Sequence, residues 1–280
     1  MSRGALFIVA TPIGNLGDVT IRALDTLRAC QRIVAEDTRR TRQLLSHFSV
    51  GGKQVERLDA HANPHDVARI VDRLAGGEQV ALLTDAGTPA VSDPGEALVE
   101  AAIAAGVRVV PIPGASALLA ALVASGLATP AGFRFVGFLP RNGSARRNAL
   151  DLVASTPEAT VLFESPNRLR ATLRELADAT PERPACVARE LTKVHEELVR
   201  GTCAELAAYD REWLGEIAVV LGAHAPEDRA ERIDDEALDA RIDEALARGE
   251  HARSLAERLA AWSGRGKRQV YLRVIERKSR

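Results

Sequence analysis

The stretch LLTDAGTPAVSDPG, from Leu82 to Gly95, decides how this 280-residue chain folds. An apolar run, Val80–Leu83, ends there and gives way at once to a segment with two Asp, two Gly and two Pro. Such residues end strands and build turns, but a plain turn needs only two or three of them. The stretch therefore predicts a buried strand followed by a polar loop that is more than a connection.

Three further apolar runs repeat the pattern, at Ala5–Ala10, Arg32–Glu36 and Val107–Pro113. The segments between the runs carry apolar residues at helical spacing, in three stripes: Ile21, Leu24 and Leu27; Val67, Ile70, Val71 and Leu74; and Leu98, Val99, Ala102 and Ile103. Strands that lack alternation and are joined by helices form a parallel sheet covered on both faces. The first part of the chain is therefore predicted to be an α/β domain.

A second series of apolar runs predicts a second α/β domain. The runs are Phe133–Leu139, Thr160–Ser165, Ala185–Thr192 and Glu216–Gly222. The Pro/Gly-containing stretch Ala128–Gly132 favours a boundary, which gives domains of residues 1–128 and 129–225. Residues 226–280 form the third predicted region. A linker is predicted within Ala223–Arg232, and two short helices joined by a Gly turn follow it. These helices are typical either of a helix-turn-helix module or of an ordinary helical hairpin.

Composition narrows the class of protein. The chain is 46% hydrophobic and 27% charged, with a net charge of −1, so no polyanion partner is evident for the chain as a whole. The last thirty residues are nevertheless basic and follow an acidic segment, which suggests either a phosphate contact or a solvated tail. Three cysteines without metal-ligand spacing, no signal sequence and no membrane span predict a reduced, cytoplasmic protein without a metal site. Motifs for nicotinamide, P-loop and serine-hydrolase chemistry are absent.

Four polar, Gly-rich loops follow the strands of the first domain. They are Ala10–Asp18, Ala35–Arg42, Thr84–Gly95 and Pro113–Ala117. Ligands of open α/β sheets bind beyond the carboxyl ends of the strands, where these loops must meet. The sequence therefore predicts a ligand site at this edge.

These loops and three blocks of the second domain resemble the tetrapyrrole-methylase superfamily. The blocks, in order, are LFIVATPIGNLGDVTIRAL, AEDTRRTRQLL, LLTDAGTPAVSDPG, PGASALLAAL, FVGFLPR, LFESPNRL and ARELTKVHEE. Within the superfamily, they are most similar to the bacterial branch that methylates a cytidine 2′-hydroxyl in the decoding region of 16S rRNA. The loop TPIGNLGD and the basic C-terminal helices favour this branch over the enzymes that methylate corrinoid or sirohaem precursors.

The resemblance implies two α/β domains, with a parallel sheet in the first and a mixed sheet in the second. It also implies S-adenosylmethionine as cofactor, bound between the domains, and a homodimer. The residues that it implies for cofactor binding are Asp85, Gly87, Thr88, Val91, Ser116, Ala117, Phe163, Glu164, Ser165, Arg189, Glu190 and Leu191. Thr88 stands where the tetrapyrrole branch has an acid, which shifts that contact to the backbone. Core packing is the alternative for Phe163, and a helix cap near Gly95 is the expected role of Asp93.

Methyl transfer to a hydroxyl calls for alignment and for a general base. Glu36 or Asp37 is the candidate base, and Lys193 competes with them; ion pairing with nearby Arg residues is the alternative for both acids. The predicted contacts to 16S rRNA in the small subunit are Arg39, Arg40, Arg42, Arg141, Arg146 and Arg147. Two other functions stay open: methylation of a tetrapyrrole precursor, and a non-catalytic ribosome-assembly factor.

Overall fold

The computed structural model describes residues 4–59, 62–223 and 235–278. Their contacts divide the chain into two units. The first unit runs to Ala120 and includes Glu190–Glu196, and the second runs from Ala121 to Arg189 and continues from Glu197. The sequence suggested a boundary near residue 128. The division by contacts falls inside a helix and assigns one short segment of later sequence to the first unit, and the domain limits suggested by the sequence stay a prediction.

The first unit is a parallel five-stranded sheet with helices on both faces. Its strands are β1 (Ala5–Val9), β2 (Arg32–Ala35), β3 (Gln54–Arg57), β4 (Gln79–Leu83) and β5 (Arg108–Ile112), in the order β3-β2-β4-β1-β5. The helices are α1 (Ile21–Ala29), α2 (Thr38–His47), α3 (Pro64–Ala75), α4 (Glu96–Ala104) and α5 (Ala117–Ser125). The predicted α/β class is confirmed.

Four strands of this sheet, β1, β2, β4 and β5, supply side chains to cores on both faces. On one face Ile33 and Leu83 pack with Leu27 of α1. On the other face Leu82 packs with Ile70 of α3 and with residues of α4. Because both faces of these strands are covered, they are mostly apolar, and this explains why they lack alternation in the sequence. The edge strand β3 contributes Val55 to one core only.

The second unit contains a mixed five-stranded sheet, as predicted. Its elements are β6 (Phe133–Phe138), α6 (Gly143–Ser155), β7 (Ala159–Glu164), α7 (Pro166–Ala179), β8 (Pro184–Arg189), β9 (Glu197–Thr202), α8 (Cys203–Ala208) and β10 (Ile217–Leu221). The strand order is β6-β7-β10-β8-β9, and only the β6–β7 pair is parallel.

Three helices, not two, follow in the described C-terminal residues. They are α9 (Asp235–Ala247), α10 (Ala252–Ser263) and α11 (Lys267–Lys278), and they share a core that includes Ile242, Leu259 and Val274. The turn between α10 and α11 uses Gly264 in the left-handed conformation, as the Gly signal predicted. Apart from Ala223, the predicted linker lies outside the described residues.

The expected cap on α4 is wrong. Gly95 occupies the N-cap position with φ of +129°, and no side chain caps this helix. Burial raises the pKa of the Asp93 carboxyl group. An Asp that precedes a helix is therefore not always its cap, because a glycine can fill that position without a side-chain oxygen.

Candidate active site at the strand ends of the first unit

The loops after β1 and β4 are joined by backbone hydrogen bonds. Thr11 N–H donates to the Gly87 carbonyl over 2.8 Å, and Gly87 N–H donates to the Thr11 carbonyl over 3.0 Å. The Thr11 hydroxyl also donates to the carbonyl of Thr84, over 3.2 Å. Gly87 has φ of +82°, which a glycine adopts at little cost. The two loops therefore hold each other in place.

The loop after β5 is attached to the same assembly. The hydroxyl of Thr88 donates to the carbonyl of Ala115 over 3.3 Å. Ser116 precedes the first residue of α5, Ala117, and its hydroxyl accepts a hydrogen bond from the N–H of Leu119 over 3.5 Å. Thr88 thus ties two loops together, and its side chain is already engaged. This fits the expectation that any ligand contact at Thr88 uses the backbone.

Two loops near the strand ends each contain a pair of non-glycine residues in left-handed conformations. Ala90 (φ +64°) and Ser92 (φ +61°) flank Val91 in the loop after β4. Glu190 (φ +51°) and Thr192 (φ +67°) lie in the segment after β8 that belongs to the first unit. Such conformations cost about 1–3 kcal/mol each and concentrate at functional sites. They occur here in two of the loops that the resemblance assigns to the cofactor.

Asp85 connects the loop after β4 to the start of α2. Its carboxylate accepts a hydrogen bond from the N–H of Asp37 over 3.2 Å and pairs with the guanidinium of Arg40 at 3.2 Å. Asp37 is the N-cap of α2 and accepts hydrogen bonds from the N–H groups of Arg39 (2.7 Å) and Arg40 (3.3 Å). These two bonds lower the pKa of the Asp37 carboxyl group. Asp37 is therefore a weak base that is already committed to the helix.

Glu36 has the opposite environment. Burial raises the pKa of its carboxyl group, and the nearby acids Asp85, Asp93 and Asp59 raise it further. No described residue donates a hydrogen bond to this carboxylate. Glu36 and Asp93 line a cavity of 460 Å³ beside the loop after β4. Glu36 is thus an accessible carboxylate with a raised proton affinity, which is the property that a general base requires.

Lys193 crosses the loop after β1. Its ammonium group pairs with the Glu190 carboxylate at 2.9 Å. A Cβ atom added to Gly14 would lie 2.5 Å from Cγ of Lys193 and 3.0 Å from the hydroxyl of Thr192. The absence of a side chain at residue 14 therefore allows this segment to approach the loop. Because this pair already engages the ammonium group, Lys193 is less suited than Glu36 to accept a proton.

In the second unit, Phe163 belongs to an aromatic cluster at the end of β7. Its ring centroid lies 5.0 Å from that of Phe135 and 5.6 Å from that of Phe138, in tilted and edge-to-face arrangements. Such pairs stabilise a core by roughly 0.5–1.5 kcal/mol beyond the area that they bury. Phe163 is only partly buried, so one side of the residue remains accessible. Core packing and a ligand contact are thus compatible.

The Glu164 side chain is fully buried and forms hydrogen bonds and ion pairs with residues of the second unit. Its carboxylate accepts hydrogen bonds from the N–H of Ser165 (2.8 Å) and the hydroxyl of Thr172 (2.7 Å). It also pairs with Arg168 at 2.6 Å and lies 3.9 Å from Arg146. The carboxylate therefore fixes the turn from β7 into α7, and any ligand contact at Glu164 falls to its backbone.

Arg189 likewise stabilises the second unit with its side chain. It donates to the carbonyl of Leu214 over 3.0 Å and pairs with Glu197 at 3.1 Å. Arg211 donates two hydrogen bonds of 2.8 Å to the same carboxylate. Hydrogen bonds from Arg211 and then from Arg189 lower the pKa of Glu197 to about 2. Leu191, two residues after Arg189, is partly buried.

The six predicted RNA-contacting arginines fall into two groups. Arg39, Arg40, Arg42, Arg141 and Arg147 are exposed. Arg146 is only 9% exposed in its side chain; it binds the carbonyl of Pro140 at 3.1 Å, the hydroxyl of Thr172 at 2.8 Å and the carboxylate of Glu175. Because its donors are used inside the domain, Arg146 has a structural role in this fold. Its guanidinium is therefore not available to RNA.

The described residues contain no cluster of three His, Cys, Asp or Glu residues placed to hold a metal ion. None of the helices in these parts of the chain has the length and apolarity needed to span a bilayer. The three cysteines are buried and unpaired, and burial raises the pKa of the Cys30 thiol to about 11.

Comparisons with known proteins identify the family. The model of the Tetrapyrrole (Corrin/Porphyrin) Methylases matches residues 5–207. This chain belongs to that family.

Two tetrapyrrole methylase relatives match nearly the whole chain, and both are named Ribosomal RNA small subunit methyltransferase I. The protein from Halalkalibacterium halodurans is 40% identical over 273 residues, which cover 96% of this chain and 94% of the relative. The protein from Pseudomonas aeruginosa is 40% identical over 286 residues, which cover 100% of both.

Solved structures show the same fold at low identity. Uroporphyrin-III C-methyl transferase from Thermus thermophilus, complexed with S-adenyl homocysteine, is 21% identical, with a TM-score of 0.55 over 79% of this chain and 97% of that one. Diphthine synthase is 20% identical, with a TM-score of 0.59 over 79% of this chain and 91% of that one.

As a tetrapyrrole methylase, the chain uses S-adenosylmethionine as its methyl donor. The first unit fits this cofactor chemically. The sulfonium and ammonium groups are cationic, and the strand ends carry three carboxylates close together: in addition to burial, Asp85 and Asp93 raise the pKa of Glu36, and Asp85 raises the pKa of Asp93. The methionine part of the cofactor therefore has suitable partners here.

Sequence reasoning did not single out four residues that shape this candidate site. Thr11 bonds to the loop after β4, Gly14 leaves space for Lys193, and Ala90 and Ser92 give the loop after β4 its backbone conformation. Thr11 and Gly14 could have been found from the sequence, because they lie in the TPIGNLGD loop. The backbone strain at Ala90 and Ser92 could not, since neither residue type favours the left-handed region.

Proposed function

We propose that this chain methylates the ribose 2′-hydroxyl of a cytidine in the decoding region of 16S rRNA, within the small ribosomal subunit. The observation that carries the proposal is the full-length similarity, at 40–44% identity, to proteins named Ribosomal RNA small subunit methyltransferase I. Such a substrate places the enzyme in the cytoplasm.

The methyl donor supplies an activated methyl group on a sulfonium centre. The proposed cofactor contacts are the backbone and side-chain groups of Asp85, Gly87, Thr88, Val91, Ser116, Ala117, Phe163, Glu164, Ser165, Arg189, Glu190 and Leu191. Of these, Thr88, Glu164 and Arg189 contribute through their backbones, because their side chains bind other parts of the protein.

Glu36 is the proposed general base. The ribose oxygen attacks the methyl carbon as the carbon–sulfur bond breaks, and the hydroxyl proton passes to Glu36. The products are the methylated ribose, the neutral thioether and a protonated carboxyl group that later returns its proton to water. The raised pKa of Glu36 matches this role better than the lowered pKa of Asp37. Lys193, paired with Glu190, is better suited to holding an anionic group of either substrate.

The proposed RNA surface consists of exposed arginines near these groups and in the second unit. Arg39, Arg40 and Arg42 lie on α2, directly after Glu36, and Arg141 and Arg147 lie before and within α6. None of the described residues forms an ion pair with Arg42, Arg141 or Arg147. These three cations are therefore available to phosphate oxygens, which account for most of the affinity for nucleic acid.

The test is incubation of the full-length protein with labelled S-adenosylmethionine and small ribosomal subunits that lack the modification, followed by nucleoside analysis. The expected result is a methyl label on the ribose of one cytidine. A label on a base, or on a porphyrinoid offered instead, would reject the proposed substrate. Absence of transfer together with tight RNA binding would favour an assembly factor. Dimerisation stays a prediction, and light scattering on the purified protein tests it.

A further inference from the structure

A groove whose lining includes two cationic side chains and two hydroxyls lies at the far end of α2 from the candidate active site. It has a volume of 440 Å³ and is lined by Arg42, Leu45, Ser46, Ser49, Val50, Gly51, Gly52, Lys53 and Val55. These residues come from the last turns of α2, the loop that follows and the start of β3, the edge strand of the sheet. Since α2 has ten residues and so spans about 15 Å, it connects the groove to the strand ends.

The groove is lined by two cations and no acid. The guanidinium of Arg42 has one intramolecular hydrogen bond, of 3.3 Å, to the hydroxyl of Thr38, so most of its five donors remain available. The ammonium group of Lys53 donates to the carbonyls of Arg28 and of Cys30, the latter over 2.7 Å. These bonds hold Lys53 in one position, so that binding an anion there costs little side-chain entropy.

Neutral donors complete the lining. The hydroxyls of Ser46 and Ser49 have no hydrogen-bond partner among the described residues, and neither do the backbone N–H groups of Gly51 and Gly52. Ser49 (φ +56°) and Gly52 (φ +71°) are both left-handed, and they bound the loop that lines this part of the groove. Backbone N–H groups without an internal partner, such as those of Gly51 and Gly52, are donors that can bind an anion.

The stripe of α2 that leads to the groove is also basic. Arg39, Arg42 and Ser46 are spaced at i, i+3 and i+7, so they lie on one exposed face of the helix. The Arg39 side chain is 80% exposed, and its guanidinium lies 3.8 Å from the Asp37 carboxylate. Positive charge therefore continues from the loop that holds Glu36 to the groove.

We propose that this groove binds the phosphodiester backbone of the ribosomal RNA substrate, about one helix length from the reacting ribose. The inference rests on the proposed function, because that function supplies the RNA. Contacts of this kind fix the register of a nucleic acid without reading its sequence. The groove would then help to select one nucleotide by holding RNA at a set distance from the base Glu36.

The test changes the charge at Ser46, which is exposed on α2 and supports no core. Ser46→Glu places an anion in the groove, and Ser46→Lys places a cation there. Dissociation constants are measured with small ribosomal subunits over a range of salt concentrations. The expected result is affinity about five-fold weaker for Ser46→Glu and correspondingly tighter for Ser46→Lys, with the difference fading at high salt. Arg42→Gln should flatten the slope of log K against log salt by about 0.7–0.9, the value for one phosphate contact.

The matched control is Arg108→Glu. Arg108 is exposed on β5, at the opposite edge of the same sheet, and forms no ion pair with a described residue. The Arg108→Glu variant should bind RNA with wild-type affinity. All of the variants should keep the wild-type melting temperature and the wild-type affinity for S-adenosylhomocysteine.

The outcomes separate the two proposals. If the wild-type protein neither binds nor methylates the subunits, the proposed function is rejected. The proposal that the groove binds RNA is then rejected as well. If the wild type does both, and Ser46→Glu and Ser46→Lys bind like the wild type, only the groove is rejected. Equal losses for Ser46→Glu and Arg108→Glu would also reject it, because they would show a general effect of net charge.

Discussion

Glu36 and Asp37 are consecutive carboxylates with opposite electrostatic environments. Asp37 receives two backbone hydrogen bonds as the cap of α2, which lower its pKa, whereas burial and neighbouring acids raise the pKa of Glu36. Two adjacent residues thus divide two tasks: one starts the helix and the other stays available for a proton. The sequence could name this pair, but it could not choose between its members, because the choice depends on the positions of Asp85 and Asp93.

Glu36→Gln should lower the rate of methyl transfer by about 100-fold or more, since it keeps the shape of the side chain but removes the base. The wild-type rate should rise with pH through the raised pKa of Glu36, and this limb should vanish in the variant. Single-turnover rates across pH, together with calorimetric S-adenosylhomocysteine affinities, provide the measurement.

Asp37→Asn is the matched comparison for Glu36→Gln, because an Asn oxygen also caps a helix. The expected loss of rate is below ten-fold. A Glu36→Gln variant with near wild-type turnover, or one that loses only cofactor affinity, would contradict the assignment of Glu36 as the base.

At the scale of elements, α6 contains two adjacent arginines with different roles. Arg146 points into the domain, where the carboxylates of Glu164 and Glu175 and the hydroxyl of Thr172 surround it. Arg147 is exposed and unpaired among the described residues. A run of basic residues in a sequence does not reveal this difference. Helical periodicity separates the two arginines only once it is known which face of α6 is buried.

Arg146→Ala should lower the free energy of unfolding by about 3 kcal/mol, because it leaves the fully buried Glu164 carboxylate with fewer compensating partners. Arg147→Ala should change it by less than about 0.5 kcal/mol, as is usual for surface positions. Urea unfolding of both variants provides the comparison. Equal and small effects would show that Arg146 is not structural, and would return it to the RNA surface.

The sequence predicted secondary-structure elements well where their residues are fully buried, and less well at the edges of the sheets. The central strands of the first sheet are continuous apolar runs, and the sequence located them. The edge strands β3 and β9 read QVER and ELVRGT; none of their residues is fully buried, and at least half of each strand is polar. The helix α9 was hidden in an acidic segment, although Leu238, Ile242 and Ala245 repeat at helical spacing in it.

At the scale of the whole molecule, charges that look segregated along the chain are paired in space. In the C-terminal helices Arg273 pairs with Asp235 (2.8 Å) and Asp239 (2.6 Å), and Arg277 pairs with Asp239 (2.8 Å) and Asp243. Much of the basic tail is therefore neutralised by the acidic segment that precedes it. This leaves α2 and its groove as the stronger candidate for contact with RNA, a conclusion that the net charge of −1 could not supply.

The dependence of stability on pH also follows from the distribution of pKa shifts. The pKa of Glu197 is lowered to about 2 by Arg211 and Arg189, so the folded state binds this proton less readily than the unfolded chain does. Its contribution to stability is complete above the ordinary pKa of a glutamate, near 4.5, and is lost as the pH falls towards 2. Glu36 and Asp93, whose pKa values are raised, act in the opposite direction: their protonation at falling pH favours the folded state.

Glu197→Gln should therefore be less stable than the wild type at pH 7, and the difference should shrink as the pH falls through the range from about 4.5 to about 2. The difference at pH 7 should be at most about 1 kcal/mol, because the carboxylate is 36% exposed and solvent screens its ion pairs. Urea unfolding at pH 7, 4 and 3 measures it. Glu212→Gln serves as the control, since Glu212 is exposed and unpaired among the described residues. A penalty for Glu197→Gln that stays constant over this range would mean that shape rather than charge holds β8 and β9 to the segment that carries Arg211.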